Sequence, residues 1–414
     1  MDKAKPFCIS KHEVWAAYKQ VKANRGAAGV DRQSLAAFEE DLKNNLYRIW
    51  NRMSSGSYVP PPVLRVDIPK AGGGTRPLGI PTVSDRIAQM VVKRYLEPIV
   101  DPVFHEDSYG YRPGRSAHQA LSAARQRCWR YAWVLDLDIK GFFNNINWEL
   151  LMRAVRRHTD CAWALLYIER WLRAPVCMPD GALVHPDKGT PQGSVISPIL
   201  ANLFLHYAFD RWMQKHHPEV PFERYADDAI CHCKSEAHAR ALRQELEQRM
   251  AECLLELHPE KTKIVYCKDA NRRGTHPMCQ FDFLGYTFRA RSALNRVGKL
   301  FASFTPAVSN KAATAMRQDM RRRGWLRRYD LGLDELADKT RPVLSGWIQY
   351  YGRFHRSVLI NVLRAIDYAL VHWAQRKYKT LHGRKARAWA WLNGVRARQP
   401  ALFPHWSLGV SVER

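Results

Sequence analysis

"RYADDAICHC", Arg224 to Cys233, alternates apolar and polar residues as a half-buried strand does, and interrupts the alternation with two adjacent aspartates, Asp227 and Asp228. A hairpin with paired carboxylates at its turn concentrates negative charge. The chain around it has the opposite sign: its 414 residues hold 65 Lys+Arg against 39 Asp+Glu, a net charge of +26. Such an excess points to a polyanionic partner, because lysines and arginines displace condensed counterions from a phosphate backbone. The 14 Trp and 17 Tyr interleaved with them supply stacking platforms for single-stranded nucleic acid.

An Asp-Asp pair alone is explained by turn propensity. The third carboxylate decides the reading: Asp138 falls in "VLDLDIKGFF", an apolar strand where an unpaired charge is costly. If that strand lies beside the hairpin, Asp138, Asp227 and Asp228 face one another and can hold two Mg²⁺ ions ~3.5–4 Å apart, the arrangement that stabilises attacking and leaving oxygens in phosphoryl transfer. Hard carboxylate oxygens suit Mn²⁺ as well.

Other chemistries are excluded. The nine cysteines contain no CxxC pair, so neither a zinc ribbon nor a disulfide framework is expected, and a reducing cytoplasm suits them. Cys231, His232 and Cys233 read as strand residues, since alternate side chains face opposite sides and no second ligand pair follows at zinc spacing. No charged-then-apolar leader and no run long enough for a bilayer is present, so a cytoplasmic protein without a membrane partner is expected.

Along the chain, residues 1–57 read as a basic helical extension. Residues 58–290 alternate short strands and helices in an α+β pattern, beginning with a hairpin whose loop holds Gly72, Gly73 and Gly74 between Lys70 and Arg76. That loop is not a P-loop, because no Gly-Lys-Ser/Thr follows. "YAWVLDLDIKGFF" reads as one strand, Trp148–Arg173 as a helical stretch, and "SVISPILANLFLHYAFDRWM" as one long helix. From 291 to 380 three helices separated by Gly324 and "RPVLSG" make a small basic domain, and 381–414 is a basic tail.

Taken in order, "DIKGFF", "GTPQGSVISPILANLFL", "YADD" and "FLGYTF" resemble the successive sequence blocks of group II intron reverse transcriptases, and "GWIQYYGRF" resembles their thumb, or maturase, domain. The resemblance runs from "VKANRGAAGVD" to "LFPHW". It implies a right-hand polymerase: fingers and palm in 58–290 and a three-helix thumb in 291–380. It implies RNA-directed DNA synthesis from dNTPs on an RNA template with a DNA or RNA primer, together with binding and folding of a parent group II intron RNA and a target DNA.

Residue by residue, the resemblance makes Asp138 and Asp227 metal ligands with the Ile139 carbonyl, and sets Asp228 toward the primer 3′-hydroxyl. Phe143 would lie against the sugar C2′ and exclude a 2′-hydroxyl, with Phe142 in the core because strand neighbours point oppositely. Lys70 and Arg76 would clamp the triphosphate, Gln192 and Gly193 would lie at the nucleotide and template backbone, and Lys261 would protonate pyrophosphate. Arg112 and Arg115 would bind template phosphates, Phe283, Leu284 and Gly285 the primer, and Arg321, Arg322 and Arg323 RNA. No Cys/His-rich endonuclease pattern follows Lys379 and no RNase H acidic cluster follows the thumb, so neither activity is expected. Two rival readings keep the same residues: an RNA chaperone with a relic palm, and a domesticated polymerase serving defence or repair.

Overall fold

The computed structural model describes residues 5–69, 74–295 and 297–409; Lys70, Gly72 and Gly73, expected in the triphosphate-clamping hairpin, lie outside the described residues. The N-terminal helices are α1 (Lys11–Asn24), α2 (Leu35–Glu40) and α3 (Leu42–Ser54). Ser10 and Ser34 cap the first two, each hydroxyl accepting a backbone N–H three residues on. Strands β1 (Val63–Pro69) and β2 (Thr75–Ile80) follow, then α4 (Val83–Val100), α5 (Ala117–Arg130) and β3 (Trp133–Leu137). The chain continues through α6 (Phe142–Asn145), α7 (Trp148–Arg156), α8 (Ala162–Leu172), β4 (Val176–Cys177), β5 (Leu183–Val184), α9 (Ser197–Leu205) and α10 (Arg211–His216). Next come β6 (Phe222–Tyr225), β7 (Asp228–Cys233), α11 (Glu236–Glu252), β8 (Lys263–Tyr266), β9 (Gln280–Phe283), β10 (Tyr286–Leu294) and β11 (Leu300–Val308). The last helices are α12 (Asn310–Arg323), α13 (Leu333–Tyr351), α14 (Arg356–Lys377) and α15 (Lys385–Arg398). Among the described residues no helix is long and apolar enough to cross a membrane.

Two compact units divide the chain, one of residues 1–120 and 135–264, the other of 121–134 and 265–414. In the first, β1 pairs antiparallel with β2 and parallel with β4, giving the sheet order β2-β1-β4-β5. A second sheet, β6-β7-β3-β8, sets the aspartate hairpin beside β3. Helix α4 is buried along most of its length, with Ile87, Val92 and Leu96 inaccessible to solvent, because α1, α3, α8 and α9 all pack on it.

In the second unit β11-β10-β9 forms an antiparallel sheet, and α12 to α15 bury a core that includes Leu336, Leu363, Leu370, Trp373, Leu392 and Phe403. Several sequence readings change here. The strands β9 and β10 lie in the same compact unit as α12 to α15, and strand structure continues to Val308 rather than ending near Arg291. Gly324 does end α12, in the left-handed conformation, but "RPVLSG" separates nothing: α13 runs through Pro342, and burial of Leu336, Ala337, Thr340 and Leu344 offsets an interior proline's cost of about 3 kcal/mol. The segment read as a tail folds as α15 and adds Ala388, Leu392, Val395, Phe403 and Trp406 to the core. Burial of these apolar side chains outweighs the many arginines around them.

Two readings also change in the first unit. Trp148–Arg173 is two helices, and the long helix through Met213 contains a five-residue π-helical segment, His206–Asp210.

Candidate active site

Strand β3 ends one residue before Asp138, so this aspartate emerges at the strand end with its side chain 36% exposed instead of lying within the strand. The segment after it runs beside residues 256–262: Lys140 donates its backbone N–H to the Glu256 carbonyl at 2.9 Å, His258 donates to the Asp138 carbonyl at 2.7 Å, and Ile139 pairs with Leu257. This pairing carries Lys261 to Asp138, with Nζ 3.6 Å from Oδ2.

Asp227 and Asp228 lie at the β6–β7 turn, where Tyr225 pairs with Asp228 and Ala226 takes φ 58°. A left-handed backbone at a residue with a Cβ is strained and persists only where its surroundings hold it. The surroundings here are specific. Arg224, 1% exposed, places its guanidinium on Asp210 at 2.6 and 2.7 Å, and donates to Asn202 Oδ1 and to the Ala226 carbonyl, each at 3.0 Å. Asn202 in turn donates to the Gly110 carbonyl at 2.7 Å, and a Cβ on Gly110 would stand 2.3 Å from the Ala226 nitrogen, so that position is closed to any other residue. The π-helical segment delivers Asp210 to this network, and burial drives the neighbouring His206 down to about 4, leaving it uncharged at neutral pH.

Burial raises the pKa of Asp227; the charge of Asp138 adds to the rise, while its own backbone N–H, Arg76 and Arg224 oppose it. Asp138, Asp227 and Asp228 supply hard oxygen donors of the type a divalent cation takes. Tyr111, on the loop after Gly110, feels the same field: burial raises its pKa, Asp227 adds to this and Arg76 opposes it.

Arg76, on β2, donates Nε–H to Gln192 Oε1 at 2.6 Å, and Gly79 N–H donates to the Gln192 carbonyl at 2.6 Å, which fixes the loop holding Gln192 and Gly193 against the hairpin. That loop is held from behind by a network the sequence reading missed. Asp85, 1% exposed, accepts from Tyr58 Oη at 2.8 Å, Trp171 Nε1 at 2.7 Å and Gln89 Nε2 at 2.9 Å. Gln89 then accepts from Ser194 Oγ at 2.6 Å and from the Val195 N–H at 2.8 Å. The Asp-x-x-x-Gln spacing on a helix was the available signal, since residues four apart share a face.

Phe142 and Phe143 occupy a helical turn, not the strand expected of them. Both are buried, at 2% and 6% exposure, with ring centroids 5.5 Å apart. The Phe143 carbonyl accepts from Thr190 N–H at 2.8 Å, which ties this turn to the Gln192 loop.

Arg112 does not face a ligand. Its guanidinium is 6% exposed and bonds the Asp101 carboxylate at 2.7 Å and the carbonyls of Asp101, His105 and Ser108 at 2.8–2.9 Å, so it builds the loop instead of meeting template phosphates. Arg115 is exposed, with its guanidinium 5.8 Å from the Tyr109 ring centre.

In the second unit, Phe283 and Tyr286 pair across a two-residue turn in which Leu284 and Gly285 have φ 50° and 79°, the pattern of a type I′ hairpin. Tyr350 on α13 donates to the Leu284 carbonyl at 2.9 Å, and the Tyr286 ring packs among Tyr350, Tyr351 and Phe354. Arg322 and Arg323 both pair with Asp319 at 2.6 Å. Arg321 instead lines an open cleft of ≈700 Å³ with Arg317, Arg327, Tyr329, Tyr368 and Arg376.

Comparison with known proteins adds two family matches: residues 68–288 match "Reverse transcriptase (RNA-dependent DNA polymerase)" and residues 313–390 match "Group II intron, maturase-specific domain". The chain is 32% identical to protein YkfC of Escherichia coli (strain K12) over 58% of its own length and 73% of that protein. It is 34% identical to the group II intron-encoded protein LtrA of Lactococcus lactis subsp. cremoris over 46% of its length and 32% of LtrA. A 91 kDa protein in the cob intron of Schizosaccharomyces pombe is 31% identical over 49% of this chain and 25% of its own.

Proposed function

The chain belongs to the reverse transcriptases of the group II intron type, with a maturase-specific domain, and on that premise we propose that it copies intron RNA into DNA and binds that RNA to help it fold and splice. The observation that carries the polymerase half is the convergence of Asp138 and the Asp227–Asp228 turn beside Lys261 and Arg76 in one unit. Asp138, Asp227 and the Ile139 carbonyl would hold Mg²⁺, or Mn²⁺, which when bound neutralises charge on the phosphates and activates the primer 3′-hydroxyl.

The remaining work falls to side chains. Arg76 binds the triphosphate of the incoming dNTP, with Lys70 as its proposed partner, and Gln192 holds the Arg76 fork in the orientation that phosphate oxygens require. Lys261 stays beside Asp138 until substrate arrives, then gives its proton to the departing pyrophosphate. Phe143 presents a buried ring to the sugar and leaves no room for a 2′-hydroxyl. Asp228 is exposed at the turn and orients the primer end. Arg115 meets template phosphate, and the hairpin of Phe283, Leu284 and Gly285 supports the primer. Intron RNA, an RNA template with its primer, and target DNA are the partners, and the basic α12 region contributes to RNA binding.

Primer extension on an RNA template with dNTPs and Mg²⁺ tests the polymerase half. Asp227→Asn is expected to abolish extension while RNA affinity stays level or rises, because a carboxylate facing phosphates repels them until a cation binds. Extension at the wild-type rate in that variant would sink the assignment. Splicing of a group II intron RNA by the same preparation tests the maturase half and separates it from a domesticated polymerase.

A further inference from the structure

Among the described residues one group of three histidine, cysteine or carboxylate side chains has its ligand atoms within 4.8 Å of one another: His217, Glu219 and His238. His217 follows the last residue of α10, and its carbonyl accepts from Val220 N–H at 3.0 Å in a turn that carries Glu219 back over the imidazole. His238 stands in the first turn of α11, its own N–H bonded to the Ser235 hydroxyl at 3.1 Å. Glu245 lies two turns further along the same helix and contacts His217 Nε2 at 3.1 Å. All belong to the first unit. They lie at the end of β7 away from the Asp227 turn, and at roughly 3.3 Å per residue a six-residue strand separates the two places by about 20 Å.

The geometry of the group leaves a place for a cation. If His217 donates Nε2–H to Glu245, its Nδ1 carries a bare lone pair, and that lone pair faces Glu219 Oε1 at 3.9 Å. A bound cation between the neutral imidazole and the carboxylate satisfies both, as protonation of the ring also would. His238 Nε2 approaches the same Glu219 oxygen at 3.6 Å. Ligand atoms around a tetrahedral zinc at ~2.0–2.2 Å stand roughly 3.3–3.5 Å apart, so small side-chain rotations bring these three atoms to bonding distance. A metal-bound imidazole typically donates its other N–H to a carboxylate, which is the place Glu245 occupies.

We propose that His217 Nδ1, Glu219 and His238 Nε2 bind one divalent transition-metal ion, zinc by ligand type, with Glu245 orienting His217. Two imidazoles and a carboxylate favour zinc over magnesium. Glu219 is 51% and His238 30% exposed, so the ion enters from solvent and solvent fills the remaining coordination position. The ion ties the turn after α10 to the start of α11, bracing the far ends of β6 and β7.

The test uses the full chain, stripped with chelator and held in excess Mg²⁺. Titration with Zn²⁺ by calorimetry, and with Co²⁺ by visible absorption, is expected to give one equivalent, d–d bands of a four-coordinate ion without a thiolate charge-transfer band, and a rise in melting temperature. Glu219→Gln and His238→Ala should each lower affinity at least tenfold, and Glu245→Gln by about 10–100-fold, the range for outer partners of a ligating histidine. Mg²⁺-supported primer extension should be unchanged in all three. Absence of a Zn²⁺-dependent shift in the wild type would overturn the proposal. So would undiminished binding in both ligand variants or a thiolate band, since the ion would then sit on cysteines or aspartates and the cluster would be histidine–glutamate ion pairs only.

Discussion

Asp227 keeps its place because Arg224, three residues earlier, is bonded on every side. The Arg224–Asp210 pair is 1% and 0% exposed, and a pair so buried repays its desolvation only while both partners and their hydrogen bonds remain. Asp210→Asn therefore leaves an arginine charge in the interior beneath the strained Ala226. Urea unfolding is expected to show a loss of about 3–5 kcal/mol, and primer extension should fall even at temperatures where the variant is folded. A stable variant with normal extension would mean the turn holds its shape without the network. Arg224 directly precedes the "YADD" motif, yet nothing in the local sequence says that its partners are Asn202 and Asp210.

Helix α4 shows how an element can serve the site without touching substrate. Its Asp85 lies under Tyr58 and Trp171, and burial raises the carboxyl to about 6 from the ordinary 3.8, although donors from Trp171, Tyr58 and Gln89 pull it back. The folded state therefore holds a proton that the unfolded chain releases between these values. The stabilisation from this group is complete below pH 4 and is lost as pH rises through 6, about 3 kcal/mol in all. Asp85→Asn removes the titration, so the difference in unfolding free energy between variant and wild type should shift in the variant's favour by that amount between pH 4 and 7. A difference independent of pH would show that Asp85 ionises normally. Because Gln89 links Asp85 to the Ser194 loop, the variant should also bind dNTP more weakly at neutral pH.

The +26 charge of the whole molecule is not spread as free cations. Arg322 and Arg323 share Asp319, whereas Arg321 points into the cleft with Arg317, Arg327 and Arg376. Replacing Arg321 with alanine is expected to lower the salt dependence of RNA binding by ~0.7–0.9 log units per tenfold in salt, the amount for a single phosphate that is no longer neutralised. The double change of Arg322 and Arg323 should lower it less than two such steps, because Asp319 already offsets part of their charge. Equal slopes per arginine would show that the Asp319 pairs open on binding. By itself the sequence determined the α+β class, a hairpin turn carrying Asp227 and Asp228, a third aspartate at an apolar strand and a basic helical segment, because each depends on residue type, short spacing or period. Only the tertiary structure decided that Arg112 is internal, that Phe143 sits on a helical turn, that α13 runs through Pro342 and that 381–409 completes the helical core. Those outcomes depend on which residues far apart in the chain exclude water from one another, and no local pattern encodes that.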